Sequence, residues 1–369
     1  MSLTTILFVA FIAVLSIQAG YYLSFLFSFA IKSTDKKLKH NLPLSVIICA
    51  KNEEENLKES LPSIINQKYG NFEIVLVNDS SSDNTLEVMK EFQSKHKNIS
   101  LVDVKVNEVF WGNKKYALTL GIKAAKNDFL VFTDADCTPV SEDWLANISG
   151  YFSNTKSIVL GYGAYSKKSY SLLNKLIRFE TLMTALQYFS YTKLGIPYMG
   201  VGRNMAYRKE LFFNNSGFKE HMHIKSGDDD LFINEVATSQ NTAICYTKDS
   251  FTISQPKASF IDWFNQKRRH ISTAKLYKPE HKFFLGLFYF SQIMFWIISL
   301  MCFIFNYDWL ILILFLSRIL IQIVCTGLTS SKLNERDLIV FIPLLDLFLV
   351  ISQLFIFIAN LISKPRHWN

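Results

Sequence analysis

Four stretches of this chain are almost continuously apolar, at residues 3–31, 283–305, 309–329 and 338–362. Each is long enough to cross a hydrocarbon core as a helix, which takes roughly 20 residues. The long segment between the first and second stretches is patterned differently. There, short apolar runs rich in β-branched residues are separated by polar turns and by longer mixed segments. Residues 44–50 (Leu-Ser-Val-Ile-Ile-Cys-Ala) and 72–77 (Phe-Glu-Ile-Val-Leu-Val) predict strands buried on both faces. Residues 101–104 and 129–133 predict two more. Helices are expected after Asn52, through Leu57, Leu61 and Ile64; after Asn84; and through Tyr116 to Lys126. Strand and helix alternate four times, which argues an α/β domain with a mostly parallel sheet and helices on both faces.

The charges sharpen the membrane reading. No Lys or Arg precedes the first apolar stretch, and it is longer than the apolar core of a secretory leader. Lys32, Lys36, Lys37 and Lys39 follow it, and Lys267, Arg268, Arg269, Lys275, Lys278 and Lys282 precede the second stretch. The positive-inside tendency then predicts an outside amino terminus and a cytoplasmic soluble domain, at the inner (cell) membrane of a bacterium. Four crossings would leave Lys364 and Arg366 outside, and Arg318 falls inside the third stretch, so three or four spans are open. The expected organisation is a membrane helix at 1–31, a soluble domain at 40–275, and two to three membrane helices at 283–362.

The net charge of +8 comes largely from these lipid-flanking clusters. It points to anionic headgroups of membrane lipids and away from nucleic acid. The five cysteines show neither paired nor metal-ligand spacing.

Candidate chemistry lies in three acidic clusters of the soluble segment: Asp79, Asp134 with Asp136, and Asp228 with Asp229 and Asp230. Asp79 and the Asp134/Asp136 pair fall just past predicted strand ends, where ligands bind in open parallel sheets. Two carboxylates at i and i+2 on such a turn can share one Mg²⁺ or Mn²⁺ with phosphate and water ligands. Three adjacent carboxylates repel one another, so at least one of Asp228–Asp230 should titrate above its free value. The basic run Gln266-Lys267-Arg268-Arg269-His270 offers a bidentate arginine for a diphosphate, and with Phe260, Ile261, Trp263 and Phe264 it also reads as an amphipathic interfacial helix. His221 and His223 lack a third ligand and make a poor metal site.

Taken in order, these segments resemble the family 2 glycosyltransferases, inverting enzymes with a GT-A-type nucleotide-sugar-binding fold. Residues 45–54 resemble the family's opening strand and loop, and Val77-Asn78-Asp79-Ser80-Ser81-Ser82-Asp83 its V-D-D-G-S-x-D turn, with Asn and Ser in place of Asp and Gly. Gly112-Asn113-Lys114-Lys115-Tyr116-Ala117-Leu118 is similar to G-K-x-x-A-L, matching Lys114. Asp134-Ala135-Asp136 is the D-x-D. Residues 202–208 resemble the segment before the acceptor side. Gly227-Asp228-Asp229-Asp230-Leu231 looks like the E-D-x-D-L block, with Gly227 replacing Glu. Gln266 to His270 resembles the Q-x-x-R-W motif of processive members, distantly like cellulose and hyaluronan synthases, with His270 replacing Trp.

The resemblance implies a role for each. Asp136 and Asp134 would hold the metal. Asp79, Lys114, Asp134, Gln266 and Arg269 would bind the nucleotide-sugar donor, and Asp228, or else Asp229, would be the catalytic base. The activity expected is transfer of a sugar from a nucleotide diphosphate to a hydroxyl of a lipid-linked or glycan acceptor. Processive polysaccharide synthesis is the alternative within the class, and a non-catalytic nucleotide-sugar-binding scaffold the alternative outside it.

Overall fold

The structure is a computed structural model, which describes residues 2–32, 38, 41–105, 114–224, 226–305 and 308–363. Gly112 and Asn113 of the G-K-type motif, Lys36, Lys37 and Lys39 after the first apolar stretch, and Lys364 and Arg366 lie outside the described residues.

Along the chain, helix α1 (Leu3–Phe25) opens on an amino-terminal cap in which the Ser2 hydroxyl accepts from the Thr5 amide. The soluble pattern then begins with β1 (Leu44–Ala50), α2 (Glu54–Ile65), β2 (Phe72–Asp79), α3 (Thr85–Lys95), β3 (Ile99–Val104), α4 (Lys114–Ala124) and β4 (Phe129–Phe132). Short elements follow: β5 (Thr138–Pro139), α5 (Trp144–Ser149), β6 (Ile158–Leu160) and β7 (Gly163–Tyr165). Next come the long helix α6 (Leu172–Lys193), then β8 (Met205–Arg208), α7 (Lys209–Asn214), α8 (Asp230–Val236), β9 (Thr242–Ile244) and β10 (Thr252–Ser254). The chain continues through α9 (Phe260–Ile271), α10 (Pro279–Phe305), α11 (Trp309–Lys332) and α12 (Ile342–Ile362).

These elements form two compact units, one of Thr34–Lys167 and Gly195–Lys257, the other of Met1–Ser33, Lys168–Leu194 and Ala258–Arg366. In the first, a seven-stranded sheet runs β3-β2-β1-β4-β8-β6-β9. The four strands read from the sequence pair in parallel, with β1 central between β2 and β4. Only β8 runs against both its neighbours, β4 and β6. β1 is buried at every position but Cys49, which is what a parallel strand covered on both faces requires. α2 and α3 direct Leu57, Leu61, Ile64, Val88 and Met89 into one core with Val46, Ile48, Ile74, Leu76 and Trp144. On α4, Gly121 lets the helix settle against β2, since a Cβ there would come within 2.6 Å of the Val77 Cγ2. A smaller sheet, β5-β10-β7, lies beyond the β4 end.

In the second unit, the four apolar segments are helical: Leu3–Ala30, Pro279–Phe305, Trp309–Lys332 and Arg336–Ile362 are each long and apolar enough to cross a membrane. Phe11 and Phe295 stack at 6.2 Å in a cluster with Leu7, Cys302 and Ile311. Arg318 does not face lipid. It is fully buried with Asp346 at 3.6 Å, donates to Gln18 Oε1 at 2.8 Å and to Gln322, and lies over the Tyr22 and Phe295 rings. Asp346 also accepts from Gln292 at 2.6 Å and from the Trp296 indole at 3.2 Å. A polar knot thus joins α1, α10, α11 and α12, and paired, hydrogen-bonded charges are the form in which a membrane interior tolerates them.

Removing one member should cost more than removing both. Arg318→Met strands a buried carboxylate, for which about 3–5 kcal/mol is expected, whereas Arg318→Met with Asp346→Leu should recover most of the loss. Thermal unfolding of the detergent-solubilised protein measures both, and equal losses would contradict this account.

Candidate active site

The site lies at the carboxyl ends of β1, β2 and β4. Asp79 is the last residue of β2, and Asp134 follows β4 by two residues. The loops after β1 and β2 are knitted together. Asn52, at φ 57°, accepts through its side-chain oxygen from the Ser82 amide at 2.8 Å, and the Glu53 amide donates to the Thr85 hydroxyl at 2.8 Å. Asn78, which stands where the family motif has Asp, donates to Asp103 at 2.8 Å and accepts from the Ser81 amide at 3.2 Å. It is buried and serves as the hinge of the turn, for which a neutral amide suits better than a second carboxylate beside Asp103.

The turn after β4 is equally fixed. The Cys137 amide closes it onto the Asp134 carbonyl at 3.1 Å, and Ser60 of α2 donates to the Ala135 carbonyl at 2.8 Å. Thr133 and Thr252 hydroxyls both donate to the Arg203 carbonyl, at 3.1 and 2.9 Å. Asn204 is fully buried, donates to the Tyr162 and Ser250 carbonyls at 2.9 and 2.7 Å, and accepts from the Trp144 indole at 3.1 Å. The Gly-Arg-Asn segment therefore holds the floor of the site.

Lys114, the first residue of α4, is the centre of charge. Its ammonium meets Asp134 Oδ1 at 2.9 Å and Asp228 Oδ2 at 3.1 Å. Burial works against that charge, but Asp134 and Asp228 hold it well above the ordinary lysine range. For Asp228, burial acts to raise the carboxyl and Lys114 outweighs it, leaving the group below its usual value. Asp79 is raised by burial, with Lys51 and Lys114 pulling the other way. Asp79, Asp134, Asp136 and Asp228 thus share one rim, with Lys114 as common neighbour of Asp79, Asp134 and Asp228.

Lys115, buried beside it, turns the opposite way and donates to the carbonyls of His221, Ile224 and Ser226 at 2.8, 3.1 and 2.8 Å. It ties down the turn that leads to the acidic cluster, and burial lowers its pKa to about 8. Gly227 completes that turn at φ 89°, and a Cβ there would sit 2.5 Å from Leu231 Cδ1. This explains why Gly stands where the family block carries Glu: the left-handed backbone and the packing of α8 exclude a side chain. Asp229 caps α8, accepting from the Gly202 amide at 2.7 Å and the Asp230 amide at 2.7 Å. Burial, then Asp228 and Asp230, push its pKa up to about 7. The crowding expected to raise at least one of the three adjacent carboxylates thus acts on Asp229.

Asp134, Asp136 and Cys137 offer three potential ligand atoms within 4.8 Å of one another. The Cys137 thiol donates to Asp136 Oδ1 at 3.4 Å, and burial holds it well above the usual thiol range. Burial, then Asp134, raises the Asp136 carboxyl. The two crowded carboxylates form a hard oxygen donor pair that fits a divalent cation completed by ligand oxygens.

Arg203, within the segment 202–208, is a site residue that the motif pattern alone does not single out. It stacks on Tyr165 at 4.2 Å, donates to Ala164 and Ser254 at 3.1 and 3.0 Å, and is a charge neighbour of Asp136. Its place in the segment 202–208 is the signal the sequence offers; Lys115 offers none beyond standing next to the motif-matched Lys114. Gln266 and Arg269 lie on α9, in the membrane unit, where Arg269 is partly buried and lowered by that burial. His221 is buried, 3.7 Å from Glu235, and burial lowers its pKa to about 4.

The family model for glycosyl transferase family 2 matches residues 45–213. The chain carries a glycosyl transferase family 2 domain. That domain is similar to the poly-beta-1,6-N-acetyl-D-glucosamine synthase of Staphylococcus epidermidis, 36% identical over 100 residues, 27% of this chain and 23% of that protein. It is similar also to a dolichyl N-acetyl-alpha-D-glucosaminyl phosphate 3-beta-D-2,3-diacetamido-2,3-dideoxy-beta-D-glucuronosyltransferase of Methanococcus voltae, 30% identical over 177 residues, 47% of this chain and 50% of that one. The chain thus spans half or less of the length of these curated relatives. Among solved structures, the mannosyltransferase PcManGT from Pyrobaculum calidifontis, in complex with GDP-Man and Mn²⁺, has the same fold. It superposes with a TM-score of 0.60 at 17% identity, over 94% of this chain and 99% of that one. The family 2 domain therefore has the GT-A fold expected of it.

Because folding raises the Asp229 pKa to about 7, the neutral carboxyl favours the folded state. That stability is fully present below about pH 4, the unfolded value, and is lost as pH climbs to about 7. Asp229→Asn keeps an oxygen for the Gly202 amide, so its stability relative to the parent should grow between about pH 4 and about pH 7 and then level off. Melting curves across that range test it, and a pH-independent difference would show that Asp229 titrates normally.

Proposed function

We propose that this protein is a membrane-bound inverting glycosyltransferase that moves a sugar from a nucleoside-diphosphate donor to an acceptor hydroxyl. The observation that carries the reading is Lys114 meeting Asp134 and Asp228 together, which gathers the D-x-D and the candidate base into one rim at the strand ends of a family 2 domain. Asp228 itself lies beyond the residues that the family model matches.

In this reading Asp79 and Asp134 receive the nucleotide and sugar hydroxyls. Asp136 with Asp134 holds Mg²⁺ or Mn²⁺, which when bound neutralises charge on a diphosphate leaving group. Lys114 adds a fixed positive charge beside the same groups. Gln266 and Arg269 are assigned to the diphosphate or the acceptor on the motif resemblance. Asp228 takes the proton from the acceptor hydroxyl on the face opposite the leaving group, as inversion requires. The acceptor is lipid-linked or a glycan: the four apolar helices favour a lipid-linked one, in line with the lipid-phosphate acceptor named for the Methanococcus relative. The Staphylococcus relative is a polymer synthase, which keeps processive synthesis as the second outcome; His270 in the Trp position of the Q-x-x-R-W motif favours single addition. The expected location is the cytoplasmic face of a bacterial inner membrane.

The test is release of nucleoside diphosphate, and transfer, from a panel of UDP-, GDP- and dTDP-sugars with the full chain in membranes and Mn²⁺ or Mg²⁺ supplied. Product length separates single addition from polymerisation. Asp136→Ala and Asp228→Asn should each lower turnover by about 10²–10⁴-fold, the usual worth of such groups. Unchanged turnover would remove the assignments, and metal-dependent donor binding with no turnover would favour a scaffold.

The pH dependence distinguishes the two candidate bases. Asp228 is held low by Lys114, so with it as base kcat/KM should stay flat far into the acid range. With Asp229 as base, kcat/KM should fall below about pH 7, tracking its raised pKa.

A further inference from the structure

Three helices of the membrane unit fix two faces. Tyr21 of α1 donates to the Phe284 carbonyl of α10 at 2.7 Å, Gln18 to Ser291 at 2.8 Å, and the Cys302 thiol to the Leu7 carbonyl at 3.8 Å. The two helices are therefore antiparallel, with the end of α1 and the start of α10 on one face, the near face. On α11, Ile311 clusters with Leu7, Arg318 reaches Gln18, and Lys332 donates to the carbonyls of Phe29, at 2.7 Å, and Lys32. α11 therefore begins on the far face and ends on the near one.

The segment that follows stays on the near face. Glu335 and Asp337 grip Arg178 of α6, with Asp337 at 2.6–2.8 Å, and Lys175 of α6 lies over the Phe341 ring at 5.4 Å. α6 belongs to that face too, since Phe189 packs on Phe29 at 5.2 Å. A membrane-crossing α12 would now end on the far face. Its last turn is instead held by α9. Arg268 donates to Asn360 Oδ1 at 2.9 Å and to the carbonyls of Ala359 and Ser363 at 3.0 and 2.6 Å, while Asn360 donates back to the Arg268 carbonyl at 3.1 Å. α9 ends shortly before α10 begins, and Lys267 ties it to Glu180 of α6 at 2.5 Å, so α9 is a near-face helix.

We propose that α12 enters and leaves the membrane on the near face, so that the chain crosses three times and its apolar outer side lies in one leaflet. Phe348, Ile351, Leu354, Phe355 and Ile358 are the exposed side chains that would meet the acyl chains of that leaflet. Asp346 is its inward anchor, on Arg318 and Gln292. A helix suits this position because its backbone groups are satisfied internally wherever lipid touches it, which a loop could not offer. The charge pattern agrees: Lys267, Arg268, Lys275 and Lys278 make the near face the basic one, which positive-inside sorting favours.

The test uses the full chain in sealed membrane vesicles of both orientations, with single cysteines at Ser363→Cys, Lys275→Cys (near face) and Asp308→Cys (far face) and a membrane-impermeant maleimide. The unaltered chain supplies the background from its native cysteines. Ser363→Cys should label from the same side as Lys275→Cys; labelling with Asp308→Cys overturns the proposal. If Ser363→Cys labels from neither side, a short bismaleimide on the Arg268→Cys, Asn360→Cys double variant decides. An intramolecular cross-link supports the returning helix, and its absence overturns it.

Discussion

Everything at the strand ends depends on one half-buried cation serving two carboxylates. Asp134 and Asp228 come from segments far apart in sequence, and without Lys114 between them they would repel in a partly desolvated cleft. At 2.9 and 3.1 Å the ammonium makes their convergence favourable, and it does so from the first turn of α4, where a positive charge opposes the helix dipole. That local penalty is outweighed by the two acids, which is the usual mark of a position held for chemistry and not for helix stability.

The surrounding structure is built to keep that arrangement still. Lys115 fixes the turn before the acidic cluster, Asn204 fixes the floor, and Asn52 and Asn78 lock the loops past the first two strands together. Lys115, Asn204 and Asn78 are buried and Asn52 is exposed, but each has hydrogen bonds directed at backbone, so each sets the position of a loop and not merely a contact. The consequence is a spread of proton affinities within a few residues. Asp228 is drawn down by a neighbouring cation, while for Asp229 burial and the adjacent carboxylates outweigh Lys114 and push it up to about 7.

The membrane unit applies the same logic in a more apolar setting. Arg318 and Asp346 are each costly alone, yet paired, and bonded to Gln18, Gln292 and Trp296, they choose one packing for helices whose apolar surfaces would otherwise slide. The near-face ties through Arg178, Lys267 and Arg268 add the interfacial helices to the bundle.

By itself the sequence determined the four leading strands, the four apolar helices, and the candidate acidic residues at strand ends. All of these follow from short-range periodicity or from a residue's place in a turn. Residues 44–50 and 72–77 read as core strands because apolar, largely β-branched residues fall on both faces; their polar members, Ser45 and Glu73, hydrogen-bond to each other at 2.6 Å. What sequence left undecided was every question of partnership. It chose Lys114 over Lys115 by motif spacing alone, and only the tertiary packing shows why: one goes to carboxylates and the other to carbonyls. It did not predict the antiparallel β8, whose direction is set by the sheet it joins. It made Arg318 an anomaly, and only the fold supplied Asp346. Local pattern fixes the elements because it acts within a few residues, whereas charge pairing acts through space and waits for the chain to close.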